Sequence, residues 1–257
     1  MDLGLRDHVA IVTGGSRGLG FATAAALSAE GASLVLNGRD HDVLIKAKDE
    51  LVTRGAEPQT VVTVVGDLGD PDLPLRLTRT AQESFGRLDA ALISIGGPYA
   101  GADASISDDQ WRGAFDTVFL GMRRMAREAA VAMGEGGSIA LVLSTTVRAP
   151  LAGIATSNGL RPGLAMLAKQ LAFDEAPRGV RINCLLPGRF DTERVRTLDA
   201  ASGDADAARA SIETGIPMGR YGRSREFGDV AAFVLSPRAS YITGTTITID
   251  GGASPSL

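Results

Sequence analysis

Thr13-Gly14-Gly15-Ser16-Arg17-Gly18-Leu19-Gly20 follows directly on the apolar run Val9-Ala10-Ile11-Val12 and leads into an alanine-rich stretch that ends before Gly31. That order reads as strand, glycine loop and helix, with Gly31 placed to close the helix. Glycine lets the backbone bend sharply and lets an anionic diphosphate approach the loop N–H groups and the positive end of the helix. A lone glycine-rich run is a weak signal. Between a first strand and a first helix it points to a dinucleotide, which makes Gly14, Ser16, Arg17, Gly18, Leu19 and Gly20 candidate cofactor contacts.

Which dinucleotide depends on charge at the end of the second apolar run, Leu34-Val35-Leu36-Asn37-Gly38-Arg39. An acidic side chain there would bond the ribose hydroxyls of NAD and repel a 2′-phosphate. Gly38 removes it and Arg39 brings the opposite charge. Arg17 can approach the same phosphate from the glycine loop, and a guanidinium recognises phosphate oxygens in a planar, bidentate way. The expectation is NADP(H). The alternative is two solvated arginines, with Asp40 capping the next helix.

These residues need a scaffold, and the rest of the chain supplies one. Strands are expected near 8–13, 33–38, 60–66, 88–95, 137–144, 180–186 and 245–249, with helices at about 19–30, 41–54, 72–86, 107–133, 154–178 and 225–236. Regular alternation with right-handed crossovers gives an α/β fold, a Rossmann-type doubly wound parallel sheet of seven strands with helices on both faces. Residues 189–216, rich in Arg, Asp and Ala, interrupt the rhythm. They would lie over the carboxyl ends of the strands, as a substrate lid on a single domain spanning 1–257.

The chain has 257 residues and a net charge of −4. At that size about 70–75% of the unfolded surface can be buried, so the core needs no staples. One cysteine, Cys184, excludes an intrachain disulfide and a cysteine-cluster metal site, and it suggests a reducing, cytoplasmic setting. No apolar run is long enough to span a bilayer, and no basic segment with an apolar core opens the chain. Mild acidity with few aromatics argues against nucleic acid. The expected partner is a small-molecule substrate.

With Gly66-Asp67-Leu68, Arg181-Ile182-Asn183, Pro187-Gly188, Tyr241-Ile242-Thr243-Gly244 and Asp250-Gly251-Gly252 added to the glycine loop, essentially the whole chain resembles a short-chain dehydrogenase/reductase. The resemblance implies that Asp67 contacts the adenine edge with Leu68 beside it, that Pro187, Gly188 and Thr192 orient the nicotinamide, and that the chain pairs into a homodimer or homotetramer. For Asp67 a loop or capping role stays open, although Asp70 before Pro71 is the better N-cap.

The resemblance fails at the active site. Counting back from Arg181-Ile182-Asn183, the family's Tyr-x-x-x-Lys falls on Ser157-Asn158-Gly159-Leu160-Arg161. The spacing of four is kept, so both side chains share a helix face. The proton chemistry is not kept. Arg161 can bond the nicotinamide ribose but cannot release a proton near neutrality, and Ser157 has a short reach and a very high intrinsic pKa. The expected asparagine for a relay water is Val118, and the loop expected as Asn-Asn-Ala-Gly reads Ser94-Ile95-Gly96-Gly97-Pro98-Tyr99. Only Ser144, at the position that bonds a substrate carbonyl, stands unchanged. Thr145 and Thr146 follow it.

Other proton donors are few. His8 and His41 belong to the nucleotide half, and Tyr221 and Tyr241 fall in a turn and the C-terminal segment. Tyr99 alone leaves a strand at the ligand-binding edge, as a catalytic acid or as a loop aromatic on the lid. Arg148 could face an acidic substrate or remain a solvated surface group. Three functions fit: an NADPH-dependent reductase of a small carbonyl or conjugated carbonyl compound with an altered proton donor; an NADP-binding pseudoenzyme that senses or scaffolds; and an isomerase or dehydratase, which no residue favours. The first resembles a divergent branch of the family in which a Ser-Asn run replaces the tyrosine segment.

Overall fold

Short aliphatic runs buried along their whole length form the central strands, because a parallel sheet covered on both faces has no wet side for alternation to mark. In the computed structural model, residues 2–97, 99–200 and 203–256 are described. Pro98, in the loop quoted above, and Ala201 and Ser202, in the expected lid, lie outside the described residues.

The strands are β1 (Val9–Val12), β2 (Ser33–Gly38), β3 (Val61–Val65), β4 (Ala90–Ile93), β5 (Gly137–Val142), β6 (Val180–Pro187), β7 (Phe190–Asp191), β8 (Gly222–Arg223) and β9 (Thr246–Ile249). Seven of them form one sheet in the order β3-β2-β1-β4-β5-β6-β9, while β7 and β8 pair separately. All pairings in the main sheet are parallel, with Ala10 facing both Leu34 and Ala90. The order reverses between β1 and β4, and a doubly wound fold binds its ligand in the crevice that opens there.

The helices are α1 (Gly18–Ala29), α2 (His41–Thr53), α3 (Leu73–Phe85), α4 (Asp108–Ala114), α5 (Met122–Met133), α6 (Ala155–Glu175), α7 (Glu193–Ala200), α8 (Ala205–Glu213) and α9 (Ser224–Leu235). One face of the sheet buries Leu27, Leu44, Leu51 and Phe227 from α1, α2 and α9. The other buries Leu73 and Leu77 of α3, Met122 and Met125 of α5, and Leu160 and Leu164 of α6. Local signals act as expected at two ends: Asp40 accepts the Val43 N–H, and Gly31 takes φ 87° just beyond α1.

Two expectations are corrected. The single helix over 107–133 is instead α4, a π-helical turn over Phe115–Gly121, and α5. The wider turn sits where this run presses on the loop after β3: a Cβ at Gly121 would lie 2.5 Å from the Leu68 carbonyl oxygen, and one at Gly69 3.0 Å from Thr117 Cγ2. Side-chain periodicity does not report such backbone crowding. Asp70 does not cap α3, whose N-cap position is Asp72. The Asp70 carboxylate instead accepts the Asp72 N–H and an Arg76 N–H, and those bonds hold it below the usual carboxylate range.

Two glycines give opposite expectations. In α9, a Cβ at Gly228 would lie 2.5 Å from the Ala22 carbonyl oxygen, so α1 and α9 meet backbone to backbone, whereas one at Gly113 in α4 meets nothing within 4 Å. Gly228→Val should cost roughly 1–3 kcal/mol through overpacking, and Gly113→Ala should gain up to about 1 kcal/mol through helix propensity. Urea unfolding of both variants checks the pair; equal stability of Gly228→Val and wild type would contradict the packing.

Candidate active site

The nucleotide end is a cradle built by missing side chains. Gly14 and Gly18 take φ 58° and 56°, and a Cβ at Gly20 would collide with the Gly14 carbonyl. Ser16 Oγ would lie 3.1 Å from a Cβ at Gly38, so the loop closes tightly on the end of β2. Leu19 turns into the apolar layer of that face. The first turn of α1 carries no acidic side chain, and its N-cap residue, Arg17, makes no side-chain cap bond. A cleared loop facing a helix N-terminus fits a dinucleotide diphosphate.

Buried side chains hold the neighbouring strand ends in place. Thr13 Oγ1 donates to the Ser94 carbonyl (2.7 Å) and accepts the Ser94 N–H (2.9 Å), tying β1 to β4. Asn37 Nδ2 donates to the carbonyls of Val64 and Gly66 (both 3.0 Å), tying β2 to β3. Asp67 spends Oδ1 on the Gly69 N–H (2.8 Å) and points Oδ2 at Arg39 Nη1 (3.7 Å). Leu68 is buried, with its backbone against the π turn. Arg17 pairs with Glu193 at 3.0 Å, and both side chains are more than half exposed. Exposed pairs of this kind contribute about 0–1 kcal/mol, so a bound phosphate can displace them.

The chemical end lies past the carboxyl end of β5. Ser144 Oγ accepts the Thr146 N–H (3.2 Å), which leaves its own O–H as a donor to offer. Thr146 and Ser157, both buried, share a hydrogen bond at 3.3 Å. Asn158 clamps the intervening loop: it accepts the Leu151 N–H (3.1 Å) and donates to the Leu151 carbonyl (2.8 Å). Arg161 is buried and donates through Nη1 to the carbonyls of Val142 and Leu143, both at 2.8 Å. Burial, and secondarily the charge of Arg194, lowers its pKa to about 10.

At the far wall, the Gly188 N–H donates to the Ile249 carbonyl, and a Cβ at Gly188 would lie 2.6 Å from Asp250 Cβ. Pro187 ends β6 beside Ile249. Thr192 accepts the Val195 N–H through Oγ1, and its Cγ2 lies 3.6 Å from the Cβ position of Gly18, so this wall touches the glycine loop.

The remaining tyrosines offer little acidity at this point. The half-exposed Tyr99 accepts a bond from Thr156 through its carbonyl (2.9 Å), which ties its backbone to the start of α6. Tyr221 is buried and donates to Asp199; burial, then that carboxylate, raises its pKa. Tyr241 is fully exposed. Arg148 donates to Thr246 of β9 at 2.7 Å. Cys184 is buried, with its pKa pushed up to about 12, and is inert as a nucleophile. Among the described residues no cluster of three or more His, Cys, Asp or Glu could hold a metal, and no helix is long and apolar enough to cross a membrane.

Two residues of this crevice are not marked by the sequence. Thr146 was legible only as a hydroxyl two places after Ser144; its bond to Ser157 requires two elements to meet. Arg194 sits two places after Thr192, and nothing in the pattern marks it.

Residues 14–254 match the family model described as enoyl-(acyl carrier protein) reductase. The chain is 30% identical over 256 residues to human dehydrogenase/reductase SDR family member 4, covering 98% of this chain and 90% of that one. It is 29% identical over 260 residues to the NADPH-dependent reductase BacG of Bacillus subtilis, covering 98% and 100%. L-sorbose reductase from Gluconobacter frateurii, solved with NADPH and L-sorbose, superimposes with a TM-score of 0.94 at 27% identity, covering 100% of both chains. On this sequence match over nearly its whole length, and on a sheet order and glycine cradle that fit it, the chain belongs to the short-chain dehydrogenase/reductase family.

Proposed function

We propose that the protein is an NADPH-dependent reductase of a small carbonyl or conjugated carbonyl compound, working with hydroxyl groups in place of the family's tyrosine. The observation that carries this reading is the group Ser144, Thr146 and Ser157 at the carboxyl end of β5, on the same sheet edge as the glycine cradle. The relatives named as NADPH-dependent reductases support it, as do Gly38 and Arg39 at the end of β2.

When bound, the reduced nicotinamide supplies a hydride. Ser144 donates its O–H to the substrate oxygen and stabilises the negative charge that grows there as carbon is reduced. Thr146 orients Ser144 through its backbone N–H, and Ser157 fixes Thr146. Arg161 cannot release a proton near neutrality and Ser157 is bonded to Thr146, so solvent water provides the proton. Reduction of a conjugated carbonyl suits that arrangement, because hydride goes to carbon and protonation follows separately. Arg161 secures the end of β5 with Nη1 and has Nε and Nη2 donors for the nicotinamide ribose. The described residues of 189–216 cover the substrate, and Val131, Met166 and Phe173, exposed on α5 and α6, suit pairing of two copies through those helices.

Three results test this function. Arg39→Asp should weaken NADPH by roughly 10–100-fold, the loss expected for one charge-assisted phosphate contact, while leaving NADH little changed; equal affinity of wild type for both cofactors would remove the NADP assignment. In NADPH oxidation with enones, keto acids and diketones, Ser144→Ala should lower kcat by ~10²–10³, and Ser157→Ala by less. An undiminished Ser144→Ala rate would refute the mechanism, and a large loss in Tyr99→Phe would move the acid there. Arg161→Met should weaken NADPH binding more than Arg161→Lys; unchanged affinity in the methionine variant would take Arg161 away from the ribose.

A further inference from the structure

Three consecutive residues at the start of α7 bridge the cofactor crevice. Thr192 Cγ2 lies 3.6 Å from the Cβ position of Gly18, Glu193 pairs with Arg17 of the glycine loop at 3.0 Å, and the Arg194 guanidinium lies flat on Gly97, just after β4. A Cβ at Gly97 would sit 2.5 Å from Arg194 Cζ and 2.6 Å from its Nε, so a side chain there would push the guanidinium away. Gly96, beside it, makes no such demand, since a Cβ there would lie 3.9 Å from Arg39 Nη2, an ordinary contact. Gly97 alone of the pair is needed for a guanidinium, that of Arg194, to approach the loop that follows β4.

We propose that Arg194 is a cofactor residue: from the wall opposite the glycine loop, its guanidinium receives the diphosphate of the dinucleotide. The inference rests on the NADPH reading above. It adds an ionic partner to a diphosphate that otherwise meets only loop N–H groups and the partial positive charge, roughly half a unit, at the start of α1. A guanidinium bonds two phosphate oxygens at once. The neighbourhood also favours an anion. Burial lowers the pKa of Arg194, and the charge of Arg194 adds to the larger effect of burial in lowering that of Arg161, which brings two cations to the same corner. Because Thr192 and Glu193 touch the glycine loop itself, the diphosphate is the nearer claimant than a substrate carboxylate.

Calorimetric titration of wild type, Arg194→Met and Arg194→Lys with NADPH and with adenosine 2′-monophosphate tests this, with the melting temperature of each unliganded protein recorded. The adenosine 2′-monophosphate keeps the 2′-phosphate and lacks the diphosphate. Arg194→Met should bind NADPH roughly 10–100-fold more weakly, with a shallower salt dependence, and should bind adenosine 2′-monophosphate as wild type does. Arg194→Lys should recover part of the loss. NADPH affinity within twofold of wild type in Arg194→Met overturns the proposal, and a selective rise in KM for carboxylate substrates would then assign Arg194 to the substrate instead. Parallel loss of both ligands with a lower melting temperature also overturns it, in favour of a packing role. Wild-type protein that binds neither ligand overturns the dinucleotide reading and this inference together.

Discussion

Where parallel strands end and diverge, their last carbonyl and N–H groups lose ladder partners, and buried polar groups without partners are costly. In this chain the satisfaction of those groups sets the position of the site. Thr13 joins β1 to β4, Asn37 joins β2 to β3, and Arg161 fastens α6 to the end of β5. Among the described residues no buried side-chain nitrogen or oxygen lacks a partner. Each of these anchors precedes or supports a loop at the carboxyl edge of the sheet, so the packing of the sheet and the geometry of the crevice are one problem.

Arg161 shows how this constraint redirects chemistry. A guanidinium buried between α6 and β5 must place its donors on fixed acceptors, and its planar fork serves two adjacent carbonyls where an ammonium would act as a point charge. That makes it a good fastener and a poor proton donor. Its neighbour one turn back, Ser157, is correspondingly engaged with Thr146 rather than presented as an acid. Ser144 is held at the start of a short turn whose backbone it caps.

The region over the site is built differently from the sheet. Residues of α8 contribute nothing to the buried set, and α7 contributes only Asp199. That carboxylate accepts from Tyr221 and pairs with Arg189, while Arg209 stacks on the Tyr221 ring. Asp191 pairs with Arg196 and Arg209, and Glu193 with Arg17. Apart from the buried Asp199, most of these links are exposed and individually weak. Segments held this way open at low cost compared with a packed core.

The sequence alone determined the doubly wound sheet, because aliphatic runs separated by helical spacing have one compact parallel arrangement, and it located the glycine loop because only glycine tolerates that backbone. With the family resemblance it also located Ser144, Ser157 and Arg161, the last two sharing a helix face through their spacing of four. It could not determine what those side chains do. The partners of Arg161 are carbonyls on a strand 18 and 19 residues away, and the bond from Ser157 reaches Thr146 across 11 residues. Arg194 lies against the loop after β4 only because Gly97, distant in the chain, leaves room for it. The π turn likewise arises from contact with the loop after β3. Patterns in sequence record local backbone and burial preferences, while hydrogen-bond partners and close approaches depend on which elements meet in space, and only the tertiary structure decided those.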